Sequence, residues 1–246
     1  CAPASSGECA TRRRIGARRN REIGLNENLA REILELHTLG DRTAYSQADV
    51  TEFARAMTGL TVGGLGERRL QRVLGTDTKP GEGIFVDALH EPGKRTIVGR
   101  SYAQNGAKAL DSILSDLAIH PATARHIATK LVRHFVADDP PSSLVRKLEA
   151  DFLRTGGDLA SLYRILIEAP ESWANTGTKF KTPWEWTVSA LRALGVESMP
   201  GREQAAVALF NQMGQPIWKP GSPKGYGDIA ADWAGPAGLM RRVETA

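Results

Sequence analysis

The hydrophobic positions of this chain recur at the three- and four-residue spacing of helices along most of its length. The first apolar stripe begins at Leu25 and ends at Leu36, and Gly40 follows it as a helix stop. The pattern predicts a helix from Asn26 to Leu39. A second helix is predicted from Ser46 to Gly59, because the Ser46 hydroxyl can cap a helix whose third residue is acidic.

Local start and stop signals predict the later helices as well. Proline in a first turn, a capping Asp or Thr, and glycine or proline after the last apolar residue mark their ends. The predicted segments are Ala107–Ala118, Pro121–Val136, Ser142–Arg154, Asp158–Ala169, Pro183–Leu194, 202–213 and Leu239–Val243.

Residues 60–100 differ from the rest of the chain. They contain eight glycines and few periodic apolar positions, and their β-branched or aromatic pieces are short. These pieces, 84–86 and 96–98, suggest a long glycine-rich loop with a small hairpin. Loops of this length in compact domains are typically functional or mobile, so this region is one place to look for a site.

Taken together, the pattern predicts an all-α protein, an irregular multi-helix bundle of about eight helices with the loop at about 60–100. No fixed-period repeat indicates a solenoid. Residues 24–246 are interpreted as a single helical domain. All five tryptophans lie beyond residue 170, which predicts a distinct aromatic packing region in the last third of the chain.

Composition agrees with a folded body, since 41% of residues are hydrophobic and 24% are charged. Six arginines and two glutamates within residues 1–25 account for the whole net charge of +4. We interpret residues 1–23 as a basic tail that is disordered or an artefact of the reading frame. A nucleic-acid partner is disfavoured, because no aromatic residues are interleaved with these arginines for base stacking.

Few features point to a membrane or a cysteine-bound metal. No apolar stretch approaches the roughly 20 residues that a membrane-spanning helix needs. The two cysteines, Cys1 and Cys9, lack the paired spacing of a structural zinc site. The chain begins at Cys1 and not at methionine, which we interpret as the start of a fragment.

Several motifs occur in order along the chain. The first pair reads N-E-N-L-A-R-E-I-L-E-L-H-T-L-G and Y-S-Q-A-D-V-T-E-F-A-R-A-M-T-G. Later blocks read H-E-P-G-K-R, H-P-A-T-A-R, K-L-V-R-H-F-V-A-D-D-P-P, T-G-G-D and K-F-K-T-P-W-E-W. The blocks lie at 26–40, 45–59, 90–95, 120–125, 130–141, 155–158 and 179–186.

These blocks resemble the bacterial family called domain of unknown function 1800, over about residues 24–246. The resemblance implies a C-terminal half of a larger bacterial protein, often exported, with a periplasmic location or another in the cell envelope. It also implies a partner protein encoded by a neighbouring gene. Residues 1–23 do not resemble the segment that normally precedes the first motif.

The first predicted helix is dense in polar groups that could form a site. Residues spaced four apart share a helical face, so an exposed ladder of ion pairs is one interpretation of the pattern. A buried structural network is a second, and a metal site with ligands among Glu32, Glu35 and His37 is a third. The candidate polar residues here are Asn26, Glu27, Asn28, Arg31, Glu32, Glu35 and His37.

The spacing argues against joint metal ligation on an ideal α-helix. Glu35 and His37 are two residues apart and point about 200° from each other. Convergence with residues from other helices would be required.

Three further residues complete the candidate cluster. His90 lies in the glycine-rich loop among charged neighbours, where it could close over an acidic substrate or occupy an exposed turn. Lys130 and His134 share a helical face, where they could bind an anion, be oriented by Asp138 and Asp139, or simply favour the end of a helix.

No dinucleotide fingerprint, P-loop, zincin motif or nucleophile elbow occurs in the sequence. The leading hypothesis is therefore a helical binding or accessory module that acts with a partner protein in the cell envelope. The alternative is a metal-dependent enzyme whose carboxylates and histidines come from several helices.

Overall fold

A computed structural model describes residues 24–64, 79–103, 106–174, 179–196, 198, 201 and 203–245. The predicted basic tail, both cysteines and part of the glycine-rich loop lie outside the described residues. The fold is all-α as predicted, with 58% of the described residues in helices and 6% in strands.

The first helix departs from the prediction. Helix α1 covers only Asn28–Glu32, and a π-helical turn over Ile33–His37 follows it directly. The buried side chains of this segment are Ala30 and Leu34, and not the predicted leucine stripe, because this is the face that packs against the second helix. A π-turn inserts an extra residue into the helical ladder, and such turns occur often at functional sites.

Helix α2 covers Gln47–Ala56 and begins as predicted. The Ser46 hydroxyl accepts a hydrogen bond from the Asp49 amide, and the Asp49 carboxylate accepts one from the Ser46 amide. This reciprocal pair satisfies two amides that would otherwise lack intrahelical partners. The other Asp49 oxygen accepts from the Val98 amide at 2.7 Å, so the cap also holds a distant turn.

Two antiparallel hairpins, and not one, occupy the described part of the glycine-rich region. Strand β1, Leu60–Val62, pairs with β2, Gly83–Phe85. Strand β3, Arg95–Ile97, pairs with β4, Arg100–Tyr102. The turn between β3 and β4 has positive φ at both Val98 (48°) and Gly99 (72°), which is the geometry that matches the twist of a two-residue hairpin.

Four longer helices form the middle of the molecule, and their starts and stops follow the predicted signals. Helix α4 packs along α5, and α5 packs along α6. The bounds are α3 Ala107–Ala118, α4 Pro121–Phe135, α5 Ser142–Thr155 and α6 Leu159–Glu168.

The described residues of the last third contain four more helices, one more than the three that the sequence pattern predicted. A capping box at Thr182 starts the first of them, as its sequence indicates. The bounds are α7 Pro183–Ala193, α8 Glu203–Gln212, α9 Ala230–Trp233 and α10 Pro236–Thr245.

Two separate apolar cores stabilise the described part of the chain. The first extends from Ala30 to Leu117 and joins α1, α2, the second hairpin and α3. The second extends from Ala124 to Ala169 and joins α4, α5 and α6. Neither core includes a described residue beyond Ala169.

Candidate binding groove and charge clasp

The polar motif at the start of α1 attaches that helix to α2. Glu27 accepts hydrogen bonds from Thr51 and from Gln47, both at 2.7 Å, and it pairs with Arg31 at 3.4 Å. These hydrogen bonds, helped by the charge of Arg31, hold the pKa of Glu27 below its usual value. The Asn26 side chain accepts from the Asn28 amide and so caps the helix start.

The proposed metal ligands of the first helix have other neighbours. Glu35 forms an ion pair with Arg42 at 2.9 Å, and not with Arg31 one turn before it. His37 is exposed and Glu32 is half-buried. No group of three or more His, Cys, Asp or Glu side chains within the described residues is arranged to hold a metal ion.

A histidine on α4 closes the π-turn. The His126 Nε2 lies 3.1 Å from the Leu36 carbonyl oxygen and donates to it, which fixes the proton on that nitrogen. Burial lowers the pKa of His126, and the nearby charges of Lys130 and Arg133 lower it further. A Cβ on Gly40 would lie 2.0 Å from the same ring, so only glycine fits there.

The His90 ring is held inside the loop by main-chain groups. Its Nδ1 lies 2.8 Å from the Thr58 carbonyl oxygen, and its Nε2 accepts a 3.4 Å hydrogen bond from the Gly106 amide. Phe85 packs against the ring with centroids 5.2 Å apart. Through both ring nitrogens, His90 thus holds the loop to the end of α2 and to the start of α3.

Two further residues of the H-E-P-G-K-R motif, Glu91 and Arg95, form ion pairs with α2. Arg95 is only 6% exposed and lies between Glu52 at 3.5 Å and Glu91 at 3.7 Å. Arg55 contacts the same two carboxylates, at 2.7 Å and 3.6 Å. Two arginines and two glutamates therefore neutralise one another where the loop meets the helix.

Lys130 and His134 converge on an aspartate that the sequence did not single out. The Lys130 ammonium lies 3.2 Å from one oxygen of Asp228, and His134 Nδ1 lies 3.4 Å from the other. Partial burial would raise the pKa of Asp228, but hydrogen bonds and charges from these two residues outweigh it and lower that pKa. Asp228 therefore occupies the position expected for Asp138 or Asp139.

Asp138 instead binds two other residues of the last third of the chain. One of its oxygens accepts from the Lys179 ammonium and the other from the Ala230 amide, both at 2.6 Å. Against the opposing effect of burial, these bonds lower the pKa of Asp138. We call the five side chains that meet here the charge clasp: Lys130, His134, Asp138, Lys179 and Asp228.

An apolar groove lies beside the charge clasp, between α4 and α6. Its cavity has a volume of about 580 Å³. Three of its side chains are widely exposed, Phe135 at 62%, Ile167 at 63% and Trp173 at 71%. The lining residues are Leu131, Phe135, Val136, Tyr163, Leu166, Ile167, Ser172 and Trp173.

Two polar groups on the α6 side of the groove already have hydrogen-bond partners. The Ser172 hydroxyl donates to the Leu166 carbonyl at 2.6 Å, and the Trp173 indole donates to the Ile167 carbonyl at 2.7 Å. These bonds cap two of the last carbonyls of α6, while the Trp173 side chain stays largely exposed. The surface that remains is apolar and aromatic.

Sequence reasoning missed this groove, although a signal was present. One stripe of α4, from Ala124 through Ala128 to Val132, is fully buried in the second core. A second apolar stripe, Leu131 and Phe135, lies on the adjoining face and lines the groove. A helix that is apolar beyond the width of its core stripe indicates a second contact surface.

The fold and these surfaces define a mostly helical protein with a polar network that joins α1, α2 and the loop, and with an open apolar groove between α4 and α6. The family model for "Protein of unknown function (DUF1800)" matches residues 11–246, and the chain belongs to that family. The match begins at residue 11, so the expectation that the resemblance starts near residue 24 was wrong. Comparison with curated proteins and with solved structures finds no match.

Proposed function

We propose that this protein is a helical binding module that acts with a partner protein in the cell envelope, and that the partner binds in the groove between α4 and α6. The observation that carries the proposal is the exposure of Phe135, Ile167 and Trp173 around one cavity. The envelope location and the neighbouring-gene partner rest on the family resemblance. No helix among the described residues is long and apolar enough to cross a membrane.

The chemistry of the groove suits a protein ligand. Clustered apolar surface on a folded protein typically marks an interaction site, whereas single exposed apolar residues do not. Aromatic side chains in such a patch supply most of the binding energy when a partner covers them. The groove offers three aromatic rings, those of Phe135, Tyr163 and Trp173.

The alternative proposal of a metal-dependent enzyme has less support. Glu27 and Glu35 are engaged by arginines, and His90 and His126 bind main-chain groups. Among the residues that the structure describes, the arrangement nearest to a catalytic pair is His134 with Asp228, whose carboxylate is shared with Lys130.

The test is co-production of the full-length protein with the product of the neighbouring gene, followed by titration calorimetry of the purified pair. Ile167→Glu and Phe135→Glu place a charge in the groove at positions already exposed, so folding should be retained. We expect each to weaken binding by at least about tenfold, the effect of losing a central apolar contact.

The matched control is Leu194→Glu, which places the same charge at a 77% exposed leucine outside the groove lining. The Leu194→Glu variant should bind the neighbouring-gene product with the affinity of the wild type. Absence of any binding to the neighbouring protein, or equal affinity for all three variants, would contradict the proposal.

A further inference from the structure

The described residues from 179 to 245, here named the C-terminal arm, have packing of their own. Phe210 and Met213 are buried, and Trp184 packs on Phe210 with ring centroids 4.9 Å apart. The buried Arg242 donates to the Lys181 carbonyl at 2.7 Å and lies 4.4 Å from the centre of the Phe180 ring. The buried Phe210 and Arg242 thus have packing or hydrogen-bond partners within the arm itself.

The arm is joined to α4 mainly by charge. Among described residues, the side-chain hydrogen bonds and ion pairs between the arm and residues 24–174 all involve the charge clasp. Neither apolar core extends into the arm.

The clasp is accessible to water and ions. The side chains of Lys130 and His134 are 46% and 50% exposed, and those of Asp138, Lys179 and Asp228 are 24 to 28% exposed. Ion pairs with this exposure contribute little individually and are screened by salt. Parts of a chain that meet through small polar contacts are expected to move relative to one another.

We propose that the C-terminal arm undocks from α4 as a unit when the charge clasp is broken, while both apolar cores stay folded. Undocking separates Lys130 and His134 on α4, and Asp138 just beyond its end, from Lys179 and Asp228 on the arm. This inference does not depend on the proposed partner.

The test is hydrogen–deuterium exchange on the full-length protein, read by mass spectrometry at low salt and at high salt. We expect high salt to speed exchange severalfold in arm peptides and in the last turn of α4. Peptides from α2 and α5, which lie in the two cores, should keep their protection.

A variant isolates the charge. Lys179→Met keeps the length of the side chain and removes its ammonium, and we expect about tenfold faster exchange in the arm at low salt. Arg100→Met is the matched control, because it removes a 2.6 Å ion pair with Asp116 that lies outside the clasp. It should leave the exchange of the arm unchanged.

Two results would overturn the proposal. One is an arm whose exchange responds neither to salt nor to Lys179→Met. The other is loss of protection in the arm and both cores together. Should Lys179→Met fail to fold, the salt dependence of the wild type still decides between these outcomes.

Discussion

His134 and Phe135 are adjacent in sequence, and their rings meet edge to face with centroids 4.6 Å apart. His134 belongs to the charge clasp and Phe135 lines the groove. Helix α4 therefore presents two surfaces of opposite character on adjoining faces, and one aromatic contact connects them.

That contact predicts an effect on binding in the groove. His134→Ala removes the ring that supports Phe135, so we expect about two- to tenfold weaker binding of the partner, the range of one edge-to-face pair. His134→Phe keeps a ring there and should bind as the wild type does. Calorimetry with the neighbouring-gene product measures both, and equal loss in the two variants would argue against ring support.

Gly40 is expected to be essential for stability. Its φ is 75° and a Cβ there would lie 2.0 Å from the His126 ring, so Gly40→Ala adds steric conflict to backbone strain. We expect a loss of about 2 to 5 kcal/mol in the free energy of unfolding.

Gly156→Ala is the control for Gly40→Ala. Gly156 has a similar φ of 69° but no neighbour within 4 Å of its Cβ position, so only the backbone cost of about 1 to 2 kcal/mol should appear. Urea unfolding of both variants measures the difference, and equal losses would show that the His126 contact does not matter.

Tyr102 is expected to resist ionisation. Burial, together with a hydrogen bond to Asp116, raises the pKa of Tyr102 to about 12. Its stabilising contribution is therefore complete below the usual value of 10.0 and is lost as the pH rises through about 12. Alkaline titration of phenolate absorbance in the wild type and in Tyr102→Phe should differ by one late-ionising group. A difference that appears near pH 10.0 would contradict this.

The lowered pKa of Asp138 predicts that the stability of the protein depends on pH at the acidic end of the range. Its pKa is lowered in the folded state, so its contribution is present above the usual value of 3.8 and is lost as the pH falls through the lower folded value. Asp138→Asn should lower the stability at neutral pH by about 0.5 to 1 kcal/mol, the range of part-exposed ion pairs. It should also flatten the acid limb of a urea-midpoint profile. Asp139→Asn, at the exposed neighbouring position, is the matched control.

Metal removal is expected to change little. The carboxylates of Glu27 and Glu35 already have arginine partners, so a chelator should not shift the thermal unfolding midpoint of the full-length protein. Elemental analysis before and after chelation is the companion measurement. Stoichiometric metal that is lost on Glu35→Ala would revive the metal-dependent enzyme.

Local chemistry allowed much of the fold to be predicted from sequence. The Ser46 and Thr182 caps and the proline at the start of α4 act within one helical turn, so their consequences can be read from neighbouring residues. The same holds for the glycine that ends α5, which adopts a left-handed conformation that other residues avoid.

The π-turn and the two hairpins required information from elsewhere in the chain. His126 binds the Leu36 carbonyl across 90 residues, and Asp49 holds the Val98 turn across 49. Helical periodicity reports only neighbouring residues and cannot indicate such contacts. The sequence therefore predicted a continuous helix and one hairpin.

The sequence by itself determined the helical class, the family and the polar residue types that are available for a site. Only the tertiary structure decided which of those residues meet. Lys130 and His134 contact Asp228, which lies more than 90 residues away in sequence. Phe135, the residue after His134, lines the groove. The physical reason is that charge pairing and apolar burial depend on distance in space, which the chain's spacing fixes only within a few residues.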